Sequence, residues 1–286
     1  AVTKHPMTRV LTPRFYKTKL VIDSEDETTF KQVLKEVAEM FKGRIVYYDE
    51  VAWQDPKVKW AVFKQRQKVS DPDFYEKLLE AERVTDEILE KYSLNQIALS
   101  FNGGKDCTVL LHLLRARVDE KFGPGHQLEG FHIMVADQFP EATKFIVEAA
   151  EWYNIKVLEI PGPLKVGLEA LKTQRPQVTA VFMGSRKSDP TGKYMKSSVA
   201  WTDDDWPRVL RVCPILNWSY SDVWKFLRGL CVPYCTLYDQ GYTSLGGRDN
   251  TVKNPSLRVV DESGEYYLPA YRLQNGSDER SNRSSL

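Results

Sequence analysis

Hydrophobic positions change period along the chain, and the changes mark its elements. Phe30, Leu34, Val37, Ala38 and Phe41 fall at helical spacing, after Asp23-Ser24-Glu25-Asp26 and before Gly43. They predict a helix with a polar start and a glycine stop. β-branched runs at Phe15–Ile22 and Ile45–Tyr48 predict a strand on each side. This β-α-β piece is too small to be a domain alone. Residues 54–71 are polar and lysine-rich and read as a linker, helical in part. Phe74, Leu78, Ala81, Thr85, Ile88 and Tyr92 then share one face of a charged amphipathic helix.

From residue 96 short apolar runs alternate with helical periodicity. Strands are predicted at Gln96–Phe101, Phe131–Ala136, Ile155–Ile160 and Val178–Met183, and helices at Thr108–Val118, Ala142–Tyr153 and Leu164–Thr173. Such alternation predicts a Rossmann-like α/β fold: a parallel sheet, right-handed crossovers and helices on both faces. After Met183 the alternation stops. A long polar loop runs from Gly184 to Arg211, and a short serine-started helix covers Ser221–Leu230. Trp206, Trp218, Trp224, Tyr234, Tyr238 and Tyr242 make this region aromatic. They suit either a second small core or a wall for a planar ligand. The tail from Asn275 is Ser, Asn and charge, a composition typical of disorder.

Ligands of parallel sheets sit beyond the carboxyl ends of the strands, near a switch in strand order. Three polar clusters occupy such ends: Ser100–Asp106, Asp137–Glu141 and Gly184–Asp189. The first carries the most chemistry. Ser100-Phe101-Asn102-Gly103-Gly104-Lys105-Asp106-Cys107 lies between a strand and a helix. Two glycines let backbone N–H groups approach a ligand, and a helix start adds unpaired N–H groups and partial positive charge. Both suit a phosphate. A Walker A loop would need Gly at Leu99 and Ser or Thr after Lys105. Asp106 stands there instead, and a carboxylate beside polyphosphate calls for a bridging Mg2+. The plainer alternative is a tight turn in which Asp106 complements the helix dipole.

Composition narrows the picture. At 286 residues with a net charge of +1, the chain has ample core and no global field for nucleic acid or a membrane surface. Cys107, Cys213, Cys231 and Cys235 form no CxxC pair. They read as free thiols rather than a disulfide framework or a zinc site. No apolar run reaches transmembrane length, and no signal peptide is visible. The first residue is not Met, which fits an excised piece of a longer protein.

The octet resembles the modified pyrophosphate loop of the eukaryotic FAD synthetases, relatives of the PAPS reductases. Four further blocks are similar: Gly184-Ser185-Arg186-Lys187-Ser188-Asp189-Pro190, Cys213-Pro214-Ile215-Leu216-Asn217-Trp218, Pro233 through Gly246, and Asn250-Thr251-Val252-Lys253-Asn254-Pro255. The resemblance covers about residues 85–286 and lies nearest to the animal two-domain enzymes. It implies an adenine nucleotide alpha-hydrolase-like fold, with a synthetase domain over 71–286. Residues 1–70 would then be a small α/β piece and linker, the remnant of a molybdopterin-binding-like domain.

The implied reaction is transfer of AMP from ATP to the phosphate of FMN, giving FAD and pyrophosphate with Mg2+. The resemblance implies roles residue by residue. Gly103, Gly104 and Lys105 hold ATP phosphates, with Ser100, Phe101 and Cys107 around them and Asp137 as an ATP neighbour. Asn102 and Asp106 are the catalytic pair. Asp189 and Asp203 are acidic positions on the flavin and metal side. Arg280 and Arg283 lie near the flavin, which removes the tail from the disordered class and leaves it mobile until FMN binds. Chemistry adds that Asp106 or Asp203 would hold Mg2+. Arg186 or Arg211 would grip the FMN phosphate by forked hydrogen bonds, and Trp206 joins the flavin side.

Partners on this account are FMN, ATP and apo-flavoproteins that receive FAD, in the cytoplasm, with mitochondrion or nucleus as alternatives. A sulfonucleotide reductase or thiolating enzyme on the same fold would need a reactive cysteine in a tail, and none follows residue 235. A non-catalytic flavin or nucleotide sensor is the other alternative.

Overall fold

The computed structural model describes residues 26–42, 44, 48–134, 137–190, 192–262 and 264–284. The strand expected at 15–22, and all of that at 45–48 except Tyr48, lie outside them. The chain divides into two compact units, 1–50 and 51–286. In the first, α1 (Glu27–Met40) starts at Asp26, whose carboxylate accepts the Thr29 N–H at 2.6 Å.

The second unit opens with a departure from the expected linker. Residues 56–70 form a helix, α2 (Pro56–Ser70), with Trp60 and Phe63 buried. Their rings meet Phe74 of α3 (Pro72–Lys91) and Phe226 of α7 (Tyr220–Gly229), with centroids 5.8–6.2 Å apart. Trp218 closes the cluster against Phe74 at 5.4 Å. The lysines around the two aromatics hid this buried stripe, and α2 belongs to the second compact unit.

The sheet is six-stranded: β1 (Ile97–Ser100), β2 (Leu128–Met134), β3 (Ile155–Pro161), β4 (Ala180–Phe182), β5 (Val199–Trp201) and β6 (Leu210–Val212), in the order β3-β2-β1-β4-β6-β5. All neighbours are parallel except β5 and β6. The stretch from Gly184 to Arg211 is therefore not structureless, because a short antiparallel pair closes that edge. Three-residue strands give too little periodicity to stand out from polar surroundings. Side chains alternate in direction along a strand. Ala98 and Val181 face Leu168 and Leu171 of α6 (Leu164–Gln174), together with Phe131, Ile160 and Val209. The helix after β1, α4 (Lys105–Phe122), is buried on nearly every side, as is usual for a helix central to a fold. It begins at Lys105, so both charged residues of the octet stand in its first turn. α5 (Pro140–Trp152) follows β2. No helix of the described residues is long and apolar enough to cross a membrane.

Strand order reverses between β1 and β4, with β2 and β3 on one side and β6 and β5 on the other. Beyond the carboxyl ends of these two strands lie Phe101–Gly104 and Gly184–Asp189, two of the three polar clusters.

Trp60→Ala should lower the unfolding free energy by about 3–5 kcal/mol, since it empties a buried aromatic site. Urea unfolding measures this. A loss below about 1 kcal/mol would mean that α2 is the detachable linker its composition suggests.

Candidate active site

The turn after β1 is built around its own side chains. Gly103 takes a φ of +73°, which only glycine adopts readily. The exposed Asn102 accepts the Gly104 N–H at 3.0 Å, and the Cys107 thiol donates to the same oxygen at 3.1 Å. Tyr238 OH accepts the Lys105 N–H at 2.9 Å. The N–H groups of Asp106 and Cys107 find no acceptor among the described residues. Cys107 is buried beneath the turn, and that burial pushes its thiol up to about 12, so it is inert as a nucleophile. Phe101 is buried too, with its ring against Phe145, and Ser100 ends β1 half-buried.

Gly184 explains how the second cluster meets the first. A Cβ there would lie 2.8 Å from Cys107 N and 2.9 Å from Asp106 C. These are backbone atoms of α4, which cannot move aside. Only glycine lets the end of β4 press against the first turn of that helix.

The two clusters join in a buried set of charges. Lys105 is 2% exposed and Arg186 is fully buried. Lys105 Nζ lies 3.0 Å from Asp106 and 2.5 Å from Glu279, between the rings of Tyr220 and Tyr238. Arg186 places Nε 2.8 Å from Asp106 and Nη2 2.5 and 2.6 Å from the two Glu279 oxygens. Asp189 accepts the Arg186 N–H at 2.7 Å and stands 3.9 Å from Nη2. Two cations thus face three carboxylates. Burial works against the Lys105 charge, but Asp106 and Glu279 outweigh it and raise its pKa. Arg186 is likewise raised, against burial, by Asp106 and Glu279. Burial would raise Glu279, yet Lys105 and Arg186 hold it below the usual glutamate value. Asp189 is raised, chiefly by burial. Asp106 keeps 21% of its side chain exposed, so the cluster reaches the surface there.

Glu279 comes from the tail. Its turn, 276–280, is tied down by Thr243 Oγ1 donating to Glu279 O at 2.7 Å and Asn254 Nδ2 donating to Asp278 O at 2.8 Å. Asn282, fully buried, donates to the carbonyls of Ser244 and Val252. The described tail is packed, against the composition-based expectation of disorder. Arg280 is exposed, and Arg283 lies flat against Gly246, where a Cβ would strike its guanidinium. Burial, and next the charge of Arg280, lower the pKa of Arg283, while Asp249 opposes them. Arg283 Nε is buried without a hydrogen-bond partner among the described residues.

Other expected residues sit differently. The fork of Arg186 closes on Glu279 rather than standing free for a phosphate. Arg211 Nη2 donates to the Trp201 carbonyl at 3.2 Å. Asp137 accepts two hydrogen bonds from Arg248. Trp206 packs half-buried on the core beside α6, while Trp224, Tyr234 and Tyr238 form a buried second core and Trp218 stays with Phe74 and Phe226. Asp203 is exposed on the turn between β5 and β6. By register that turn leaves the amino end of β6, whereas Asp106 follows the carboxyl end of β1. No hydrogen bond or ion pair joins Asp203 to the cluster among the described residues. All four cysteines are free thiols and buried.

Sequence reasoning missed Glu279, Tyr238 and the contact at Gly184. A signal for Glu279 existed: Lys105 and Arg186 both follow buried strands, and buried cations need carboxylate partners.

Fold and site together define an α/β protein with a mostly parallel sheet and, at its switch point, a glycine turn over a buried ion cluster. The phosphoadenosine phosphosulfate reductase domain is matched at residues 96–177 and 165–253. A probable FAD synthase of Caenorhabditis briggsae is 63% identical over 276 residues, 96% of this chain and 53% of that protein. The chain thus spans about half the length of that relative. A probable FAD synthase of Schizosaccharomyces pombe is 37% identical over 68% of this chain and 74% of its own length. The structure of Candida glabrata FMN adenylyltransferase in complex with FMN and the ATP analogue AMPCPP superposes with a TM-score of 0.75 at 25% identity. It covers 81% of this chain and 98% of that one. The chain belongs to the phosphoadenosine phosphosulfate reductase domain family, and within it to the FAD synthases.

Gly184→Ala should cost about 1–3 kcal/mol, because backbone opposes the added methyl; an unchanged urea midpoint would contradict the contact. Acid should act through Glu279. Its folded pKa is depressed, so its stabilisation is complete above the ordinary value of 4.5 and is lost as pH falls through the folded value. Urea midpoints should therefore begin to drop as pH falls below about 4.5 and go on dropping until it passes the folded value. In Glu279→Gln that drop should shrink; an equal drop in both proteins would remove Glu279 as its source.

Proposed function

We propose that this chain transfers AMP from ATP to the phosphate of FMN, forming FAD and releasing pyrophosphate. One observation carries the proposal: the glycine turn at the switch point is joined, through Lys105 and Glu279, to the tail turn that carries Arg280 and leads to Arg283. One site suits a triphosphate and the other a second phosphate. The Candida glabrata neighbour, whose FMN and ATP-analogue complex has the same fold, supports pairing those two ligands.

The triphosphate would lie against the N–H groups at the start of α4, with the helix dipole favouring its charge. Asn102 would donate its remaining amide hydrogens to phosphate oxygens. Lys105, sealed beneath the turn and paired with Asp106 and Glu279, would stay out of contact with the phosphates. Arg280 and Arg283 would hold the FMN phosphate and aim one oxygen at the α-phosphorus. An O–P bond forms there as the bond to the β-phosphate oxygen breaks, and the electron pair leaves with pyrophosphate. The FMN phosphate is already anionic near neutral pH, so no general base is needed. Positioning and charge stabilisation supply the rate.

The chemistry of Asp106 fits Mg2+. It is a partly exposed carboxylate at an anion site, and its Oδ1 makes an ion pair but no well-directed hydrogen bond. Asp106, rather than Asp203, would hold the ion, which when bound neutralises charge on the triphosphate.

Incubation with FMN, ATP and Mg2+ should yield FAD and pyrophosphate in equal amounts. A chain that binds both nucleotides and makes neither product is a sensor. Asp106→Asn should reduce turnover by about a hundredfold or more, beyond any loss of stability read from its urea midpoint; wild-type turnover would contradict the role. Arg280→Ala should raise KM for FMN about tenfold, the loss of one charge-assisted hydrogen bond, and KM for ATP far less. Equal effects on both would contradict the flavin-side assignment.

A further inference from the structure

Glu279 makes no contact that the reaction above requires, yet it receives both buried cations of the site. It lies next to Arg280 in a tail turn held by Thr243 and Asn254. Its carboxylate crosses to Lys105, one residue past the glycine turn, and to Arg186, two residues past Gly184. Three segments distant in sequence therefore meet on one side chain: the turn after β1, the turn after β4 and the C-terminal tail. At 6% exposure, Glu279 is shielded from solvent, so its attractions are screened little. Without it, Lys105 and Arg186 would share Asp106 and Asp189 alone. Asp106 would be drawn further into pairing with the cations and away from the surface.

We propose that Glu279 is a positioning residue: a single buried carboxylate that fixes the tail arginines relative to the nucleotide turn. It also neutralises the two cations so that Asp106 stays available on its exposed side. The kinetic part rests on the function proposed above; the structural part does not. The charge, not the volume, is what matters, because two cations must be met. Glutamine keeps the shape and loses the charge. Aspartate keeps the charge on a shorter stem.

The test compares wild type, Glu279→Gln and Glu279→Asp as full chains, by hydrogen exchange without nucleotide and by steady-state kinetics. In Glu279→Gln, exchange should accelerate in 276–284 and also in 103–107, two segments far apart in sequence, while α3 keeps its protection. Its kcat/KM for FMN should fall by about a hundredfold, the scale of a misplacement near 1 Å. Glu279→Asp should recover at least about tenfold of that. In a cycle with Lys105→Met the losses should be strongly non-additive. Unchanged exchange at 103–107, Glu279→Asp no better than Glu279→Gln, or additive losses would each overturn the proposal. Should Glu279→Gln fail to fold, Glu279→Asp decides by the same exchange at 103–107. If wild type forms no FAD, the proposed reaction fails, and the exchange result still decides whether Glu279 ties the segments.

Discussion

The structure turns on an ion cluster placed where a parallel sheet changes direction. Lys105 and Arg186 are taken out of water almost completely, a cost of several kcal/mol per ion that stands unless carboxylates meet them. Asp106, Asp189 and Glu279 do so. The cluster is not a surface ornament that substitution would leave unnoticed. Removing one partner strands the others in a low dielectric, and the three segments that bring them together lose their common point.

Geometry around the cluster follows from small requirements met in turn. The switch point lines up the ends of β1 and β4. Gly184 lets the end of β4 press against the first turn of α4. A left-handed Gly103 and the Asn102 side chain fold the turn so that α4 begins at Lys105. Tyr238 caps one amide of that start from a distant aromatic region, which is how a second core beyond the sheet comes to serve the site. Arg248 on Asp137 closes a flanking loop. On the proposed function a ligand would meet the outer side of the turn, the exposed part of Asp106, and the arginines of the tail.

Much of this was legible in the residues. Strands and helices from 96 to 183 have clear periodicity, and the glycine turn between β1 and α4 carries its chemistry on its face. Two kinds of feature were not. Trp60 and Phe63 are apolar residues set among lysines whose stems cover the same helix, so the composition of α2 read as linker. β5 and β6 are three residues each, too short for a period of two to register. In the site, the partners of Arg186 could not be read from its own surroundings: its principal carboxylate lies 93 positions away, in a polar tail that composition assigns to disorder. Local pattern reports local structure. A buried charge reports only that a partner exists somewhere.

The most direct measurement is a crystal structure of this chain with FMN and a non-hydrolysable ATP analogue. The account predicts phosphates against the N–H groups at the start of α4, the FMN phosphate between Arg280 and Arg283, and Lys105, Glu279 and Arg186 still joined beneath them. A nucleotide bound away from that turn, or phosphates in direct contact with Lys105 after Glu279 has been expelled, would contradict it.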